Sequence, residues 1–321
     1  MARVIVTAPA RLHLGFIDPE GSLGRRFGSL GVAINEPRLM LEARTAPTVH
    51  VEGDSHARVE PLLRDLLQHF ALDQGVSIRC RETIPAHVGF GSGTQLSLAV
   101  ATAVARLFEL DLTLAELARL TGRGKRSGIG VSAFAHGGFV LDSGSGDVSS
   151  APTVLFRHPF PKEWRFVVVV PAFKETLHGA VEEEAFQQFA APPQTEVGHV
   201  CRLILMQLLP SLIEKDIHLF GQALTAIQRT VGGWFAPIQG GTYATEFAGQ
   251  ILELMTAEGA AGVGQSSWGP TLYGLVGGPE GARHLKEQLQ RKLEGRLKAT
   301  IFTTVANNQG ATVEEDCPRT S

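Results

Sequence analysis

Only three cysteines occur in 321 residues, at positions 80, 201 and 317. They are odd in number, far apart and without a Cys-x-x-Cys pair, which excludes a disulfide framework and a structural zinc site and predicts reduced, structural thiols. Charge of one sign is also lacking. The 29 Lys and Arg against 32 Asp and Glu leave a formal net charge of −3, so the concentrated basic face of a nucleic-acid-binding protein is absent and no nucleic-acid partner is expected. No apolar run approaches the about 18 residues of a membrane span, and the opening Val4-Ile-Val-Thr7 reads as a short strand rather than a leader. Neither membrane insertion nor secretion is predicted, and the cytoplasm is the default. Finally, no internal repeat is present, and no Ser-His-Asp or Cys-His spacing compels a covalent nucleophile.

What the chain does have is an ordinary globular composition, 44% hydrophobic and 19% charged, at a length that exceeds one typical core and predicts two domains. The N-terminal half reads as strands at Val4–Thr7, Gly31–Ile34, Leu39–Arg44 and Val49–Glu52, then a helix over Val59–Phe70 with Leu62, Leu63, Leu66 and Leu67 on one face. Thr113 and Glu116 form a capping box for a short helix stopped near Gly122. Gly144–Pro152, rich in Gly, Ser and Asp, reads as a surface loop at the domain boundary. Beyond it come an apolar strand at Trp164–Val170, helices at Val181–Phe189, Val197–Leu209, Ile217–Thr230 and Thr242–Ala257, a strand at Thr271–Val276, a helix at Pro279–Leu293 and a strand at Leu297–Val305. The tail from Asn307 is polar and expected to fray.

The run Pro85-Ala-His-Val-Gly-Phe-Gly-Ser-Gly-Thr-Gln95 carries the chemistry. It follows the alternating strand around Val76, Ile78 and Cys80 and precedes a helix whose stripe is Leu96, Ala99, Val100, Ala103, Val104 and Leu107. Gly89, Gly91 and Gly93 let the backbone approach a ligand, and the helix aims the positive end of its dipole at the same point, so Ser92, Thr94 and Gln95 with these glycines read as a cradle for phosphate or pyrophosphate. A tight turn without a ligand is the plain alternative. No Lys-Ser/Thr pair follows the last glycine, which excludes a Walker A loop, and the spacing is not that of a dinucleotide fold.

This stretch resembles the second motif of the GHMP kinase superfamily. Ala8–Asp18 resembles the superfamily's first motif, and Gly259–Gly274, with Gly264-Gln-Ser-Ser-Trp-Gly-Pro-Thr271 inside it, resembles its third. The resemblance implies an α+β, two-domain, GHMP kinase-like fold: a ribosomal S5 domain 2-like N-terminal domain over 1–155, a ferredoxin-like C-terminal domain over 156–306, and the tail 307–321. The chain departs from the kinases where many carry a catalytic Asp in Ser-Gly-Ile-Asp. Here Ser127-Gly-Ile is followed by Gly130, and the magnesium-holding second Ser of the phosphate loop is Gly93.

The wording of these segments, including Gly122-Arg-Gly-Lys-Arg-Ser-Gly-Ile-Gly130 and Gly137-Gly-Phe-Val-Leu-Asp142, resembles a non-kinase branch, the β-ribofuranosylaminobenzene 5′-phosphate synthases of methanopterin biosynthesis. That resemblance implies condensation of phosphoribosyl pyrophosphate with 4-aminobenzoate or 4-hydroxybenzoate, with loss of CO2 and pyrophosphate. An ATP-dependent small-molecule kinase and a non-catalytic binding homologue are the alternatives.

Arg11 and His13 are two residues apart on a strand and so share a face. Arg11 suits a carboxylate or phosphate in bidentate fashion, and His13 suits donation to a leaving group or stabilisation of charge on the ring. The cations Arg123, Lys125 and Arg126, with Ser127, are expected to neutralise the 5′-phosphate or departing pyrophosphate. Ser266 and Ser267 offer hydroxyls to phosphate beside Gly264, and Trp268 offers its indole to the aromatic acceptor. Asp18 reads either as a ligand for Mg²⁺ arriving on the pyrophosphate or as an Asx turn before Pro19. Asp142 has the same two readings. A homodimer is the default assembly.

Overall fold

The computed structural model describes residues 2–53, 55–146, 152–172 and 191–316. The expected helix at Val181–Phe189, the core of the Gly144–Pro152 loop and Cys317 lie outside them.

The N-terminal sheet begins with two strands much longer than the apolar runs foretell. β1 spans Arg3–Asp18 and β2 spans Phe27–Ala46, so the runs read as two strands, Gly31–Ile34 and Leu39–Arg44, are parts of one. They pair antiparallel over almost their whole length, with register shifts at Pro9/Ala10 and His13/Gly15. After β3 (His50–Glu52), α1 (His56–His69) and β4 (Gly75–Glu82), the chain enters α2 (Ser92–Leu107), α3 (Leu114–Leu120), α4 (Ile129–His136), β5 (Phe139–Asp142) and β6 (Val154–His158). With β11 (Thr312–Asp316) at its edge, the sheet order is β11-β1-β2-β4-β3, with β5 pairing β2 and β6.

α2 is buried nearly all round, from Leu96 to Ala105. One side packs on β1 and β2 and the other meets α1, α3 and α4. Alanines at 99, 101, 103 and 105 let the helix approach both layers closely, which is how its N-terminus comes to be held inside the molecule rather than at its rim. The expected capping box is present: the Thr113 side chain accepts from the Glu116 amide while the Glu116 carboxylate accepts from the Thr113 amide.

The second domain is an antiparallel sheet in the order β10-β7-β9-β8, made of β7 (Trp164–Pro171), β8 (Gly262–Gln265), β9 (Leu272–Gly277) and β10 (Ala299–Thr304). Helices at Ile217–Gln239, Ala248–Ala257 and Gly278–Leu293 cover it. The first of these continues nine residues beyond the expected end at Thr230, and Thr242–Phe247, expected to be helical, is turns instead. The run expected as one helix from Val197 is Gln194–Leu203, a π-turn at Ile204–Leu208 and a last helix at Leu209–Glu214. This stretch is long and apolar enough to cross a membrane, but Val200, Ile204, Leu208 and Leu212 are fully buried in the protein core.

The tail is not frayed as far as it is described. Thr312–Asp316 forms β11, antiparallel to β1 from Arg3↔Asp316 to Thr7↔Thr312. Polar residues suit an edge strand with one wet face, which a hydrophobicity reading mistakes for a loose end. Cys80 and Cys201 carry no disulfide, and partial burial raises both thiol pKa values.

Candidate active site

Gly91 caps α2 in a left-handed conformation, φ 74°, and no acidic side chain lies in the helix's first turn. The amides of Thr94 and Gln95 turn back to the Gly91 carbonyl. Those of Ser92 and Gly93 have no acceptor among the described residues, so two N–H groups and the positive helix end remain to meet an anion. Arg11 completes this cradle. Its amide donates to the Phe90 carbonyl at 3.1 Å, its guanidinium donates to the Gly89 carbonyl, and its side chain crosses Gly91 so closely that a Cβ there would lie 3.1 Å from Arg11 Cγ. Arg123 lies over Gly93, 3.4 Å from where a Cβ would be, and its Nε donates to Ser97 Oγ at 3.1 Å.

The third glycine-rich segment clamps the loop from the other domain. Ser266 is fully buried, accepts from the His13 amide at 2.9 Å and donates to the Gly89 carbonyl at 2.7 Å. Both capacities of its hydroxyl are used within the protein, so the expectation that Ser266 holds phosphate is replaced by a role in fixing Gly89 to β1. Gly264 likewise lies away from the cradle. A Cβ there would lie 2.5 Å from the Tyr273 hydroxyl and 2.6 Å from Gln228 Cγ, so its small size serves packing.

The Gly122–Gly130 turn divides. Arg123 and Gly130 lie against α2, where Gln95 Nε2 donates to the Gly130 carbonyl at 2.8 Å. A Cβ at Gly130 would come within 3.0 Å of Thr94 Cγ2, so Thr94 fills the space a larger residue would need. Ser127 turns to the other side. Its Oγ is 2.7 Å from Ser29 Oγ, in a network centred on the fully buried Asp142, whose carboxylate accepts from the amides of Ser29, Gly128 and Gly144. Asp142 is therefore a scaffold group for this turn, and Ser127 is drawn to it rather than to the cradle. Lys125 is exposed, with its carbonyl bound by the Ser145 hydroxyl. Arg126 is half-buried.

Asp18 Oδ1 accepts from the amides of Glu20 at 3.0 Å and Gly21 at 2.9 Å, which is the Asx turn. No group of three His, Cys, Asp or Glu side chains suited to a metal occurs among the described residues.

Beside the cradle, between the domains, lies a slot into which His13 faces. Phe16, Phe235 and Trp268 form its aromatic walls, and Gln228, Gln239, Tyr243 and Ser267 supply polar edges. Among the described residues, no Asp, Glu, Lys or Arg lines it. The Trp268 indole meets Phe235 edge-on at 5.0 Å and is itself buried, so it is a wall of the slot and part of the core at once. Gln228 locks the slot's base: its Nε2 donates to the Leu14 carbonyl at 2.7 Å and its Oε1 accepts from the Gln265 amide at 2.9 Å, joining both domains.

His13 is 3% exposed. Burial first, and then the neighbouring Arg11 charge, push its pKa down to about 3, so the ring is neutral at physiological pH. Nδ1 faces the Gly15 amide at 3.4 Å and is the acceptor, which leaves the proton on Nε2. Nε2 is buried without a partner among the described residues. A neutral imidazole in the slot's lining leaves hydrogen-bond donation, rather than a full positive charge, as what His13 has for the expected leaving group or ring. Gln228, Gln239, Phe16 and Phe235 were not foreseen from the sequence; the three on the long helix recur at helical spacing and look like any amphipathic stripe.

The GHMP kinases N terminal domain model matches residues 57–138, and the GHMP kinases C terminal model matches 208–295. The chain is 35% identical over 295 residues to the β-ribofuranosylphenol 5′-phosphate synthase of Methanothermobacter thermautotrophicus, covering 85% of this chain and 88% of the relative. It is 33% identical over 324 residues to that of Archaeoglobus fulgidus, covering 95% and 98%. Among solved structures, the homoserine kinase from Cytophaga hutchinsonii superposes with a TM-score of 0.69 at 17% identity over 97% of each chain. The mevalonate diphosphate decarboxylase from Staphylococcus aureus gives 0.69 at 13% over 98% of each. Matched by both domain models and at least 33% identical to these two relatives over 85% or more of its length, the chain belongs to the β-ribofuranosylphenol 5′-phosphate synthase family of the GHMP kinase superfamily.

Proposed function

We propose that this protein condenses phosphoribosyl pyrophosphate with a benzoate bearing a para hydroxyl or amino group, releasing CO2 and pyrophosphate. The observation that carries this reading is the adjacency of two unlike compartments, an anion cradle at Ser92 and Gly93 and an uncharged aromatic slot, joined by the β1 segment from Arg11 to His13. One suits a pyrophosphate, the other a planar ring. The relatives named for a phenol product favour the hydroxyl acceptor.

The pyrophosphate sits on the Ser92 and Gly93 amides, with Arg11 and Arg123 beside it and Lys125 and Arg126 as outlying cations. As the bond from ribose C1 to the pyrophosphate oxygen breaks, the electron pair leaves on that oxygen, and preformed amide dipoles and guanidinium charge stabilise it. The ring carbon bearing the carboxylate, enriched by its para donor, forms the new C–C bond to C1. The bond to the carboxylate then breaks, its pair restores aromaticity, and CO2 departs. The balance needs no net proton transfer, consistent with a neutral His13 acting as a hydrogen-bond donor. Ser267, facing the slot, and Trp268 position the ring. Magnesium enters, in this reading, as the chelate carried by the donor, supplying charge neutralisation. The reaction is assigned to the cytoplasm and to a homodimer, the commonest closed assembly.

The test is release of labelled CO2 from carboxyl-labelled 4-hydroxybenzoate and 4-aminobenzoate with phosphoribosyl pyrophosphate and Mg²⁺, with Arg11→Ala alongside. Donor-dependent release that falls in the variant supports the proposal. Absence of release from both acids overturns it, and ATP-dependent phosphorylation of an alcohol would then favour a kinase.

A further inference from the structure

Resting on the synthase reading, we infer that Gln239 is a specificity-determining residue: its Oε1 accepts a hydrogen bond from the para hydroxyl or amino group of the acceptor. Three glutamine side chains line the slot, and they differ in what their amides have left to offer. Gln228 uses both ends on Leu14 and Gln265. Gln265 uses both as well, donating to the Ser267 carbonyl at 3.0 Å and accepting from the Ala244 amide at 2.8 Å. Gln239 uses one end, its Nε2 donating to the Thr242 carbonyl at 2.8 Å. A carbonyl can only accept, so the amide nitrogen must face Thr242, and Oε1 is left pointing elsewhere with a fixed orientation.

The backbone keeps Thr242 in place. Its carbonyl would lie 2.5 Å from a Cβ at Gly232, so the 240–243 turn folds back onto the long helix because residue 232 has no side chain. That anchors the partner of Gln239 against the helix carrying it. The slot thus has in its lining one buried, unpartnered donor, His13 Nε2, and one amide acceptor at its partly exposed rim, Gln239 Oε1, whose nitrogen end is already committed to Thr242. His13 is two residues from Arg11 on β1, so its end faces the cradle and receives the reacting, carboxylate-bearing carbon. Gln239 receives the opposite, para end. Accepting the para O–H or N–H also enriches the ring toward the carbon that forms the new bond, so recognition and activation use the same contact. An acid without a para donor covers Oε1 and displaces its water without replacing that hydrogen bond, so it binds less well than the hydroxy or amino acid.

The experiment compares calorimetric binding of 4-hydroxybenzoate and 4-methylbenzoate, similar in shape and differing in the donor, to wild type, Gln239→Leu and Gln239→Lys. The lysine keeps a donor for the Thr242 carbonyl and offers no acceptor, so it separates loss of recognition from loss of the turn. Wild type is expected to prefer the hydroxy acid by about tenfold or more, and both variants to reduce that ratio to about one. In the CO2 assay, kcat/KM for 4-hydroxybenzoate should fall about tenfold or more in both variants, with donor binding unchanged. An undiminished preference in both variants, or equal loss of binding for the two acids, overturns the assignment. The binding arm reads this without turnover, so failure of the synthase reading, seen as no CO2 release by wild type, is a separate result.

Discussion

Ser266 Oγ donates to the Gly89 carbonyl at 2.7 Å, joining two residues 177 positions apart and fastening the phosphate loop to the far domain. The same hydroxyl accepts from the His13 amide. Ser266→Ala leaves the buried His13 amide without its acceptor, at a cost of about 1–3 kcal/mol, and leaves the Gly89 carbonyl held by the Arg11 guanidinium alone. The expected outcome is a lower midpoint of urea unfolding together with weaker binding of phosphoribosyl pyrophosphate. An unchanged midpoint would show that the loop holds its place without the clamp.

Replacing Gly130 alone is not expected to create a kinase. Gly130→Asp restores the superfamily's carboxylate in sequence, but its Cβ lies 3.0 Å from Thr94 Cγ2, and the Thr94 side chain must give by a few tenths of an ångström to admit it. The variant should bind the donor several-fold more weakly and show no ATP-dependent phosphoryl transfer, measured by ADP release. ADP production from the single variant would mean that the space is more accommodating than the packing allows.

His13 links stability to pH. Its folded pKa, about 3, lies below the usual value near 6.5 because burial disfavours the imidazolium. The unfolded chain therefore takes up a proton that the folded chain refuses as pH falls between these values. The contribution is fully present above about pH 6.5 and is lost at up to about 1.4 kcal/mol per pH unit on the way down to about 3. Urea unfolding at pH 7, 6, 5 and 4 should show a pH dependence shallower by about one proton in His13→Gln than in wild type. Parallel dependences would place the proton uptake on other groups.

The cradle was legible because its signal is local: glycines at 89, 91 and 93, a strand before and an apolar stripe after leave few other geometries. The capping box at Thr113 and Glu116 was legible for the same reason. Strand lengths in the first sheet were not, since β2 is continuous through a polar bulge at 35–37 that has no partner on β1 and is tied instead to the end of β10 and the residue after it, the Asn35 amide donating to the Val305 carbonyl and the Glu36 amide to Thr304 Oγ1. β11 escaped notice because an edge strand needs only one dry face.

The chain's residue order by itself determined the family, the two-domain plan, the helix dipole aimed through Gly91 and the absence of an acid at position 130. These depend on neighbours in sequence, where backbone freedom, periodicity and charge act within a turn or a strand. Tertiary structure alone decided which polar groups were left with work to do. Ser266 and Ser127 spend their hydroxyls on Gly89 and on the Ser29–Asp142 network, whereas His13 Nε2 is buried with none. Gln239 keeps an oriented acceptor because Thr242 folds back onto Gly232. Hydrogen-bond capacity is allotted by contacts between residues far apart in the chain, so a site's unused donors and acceptors emerge only once the domains have packed together.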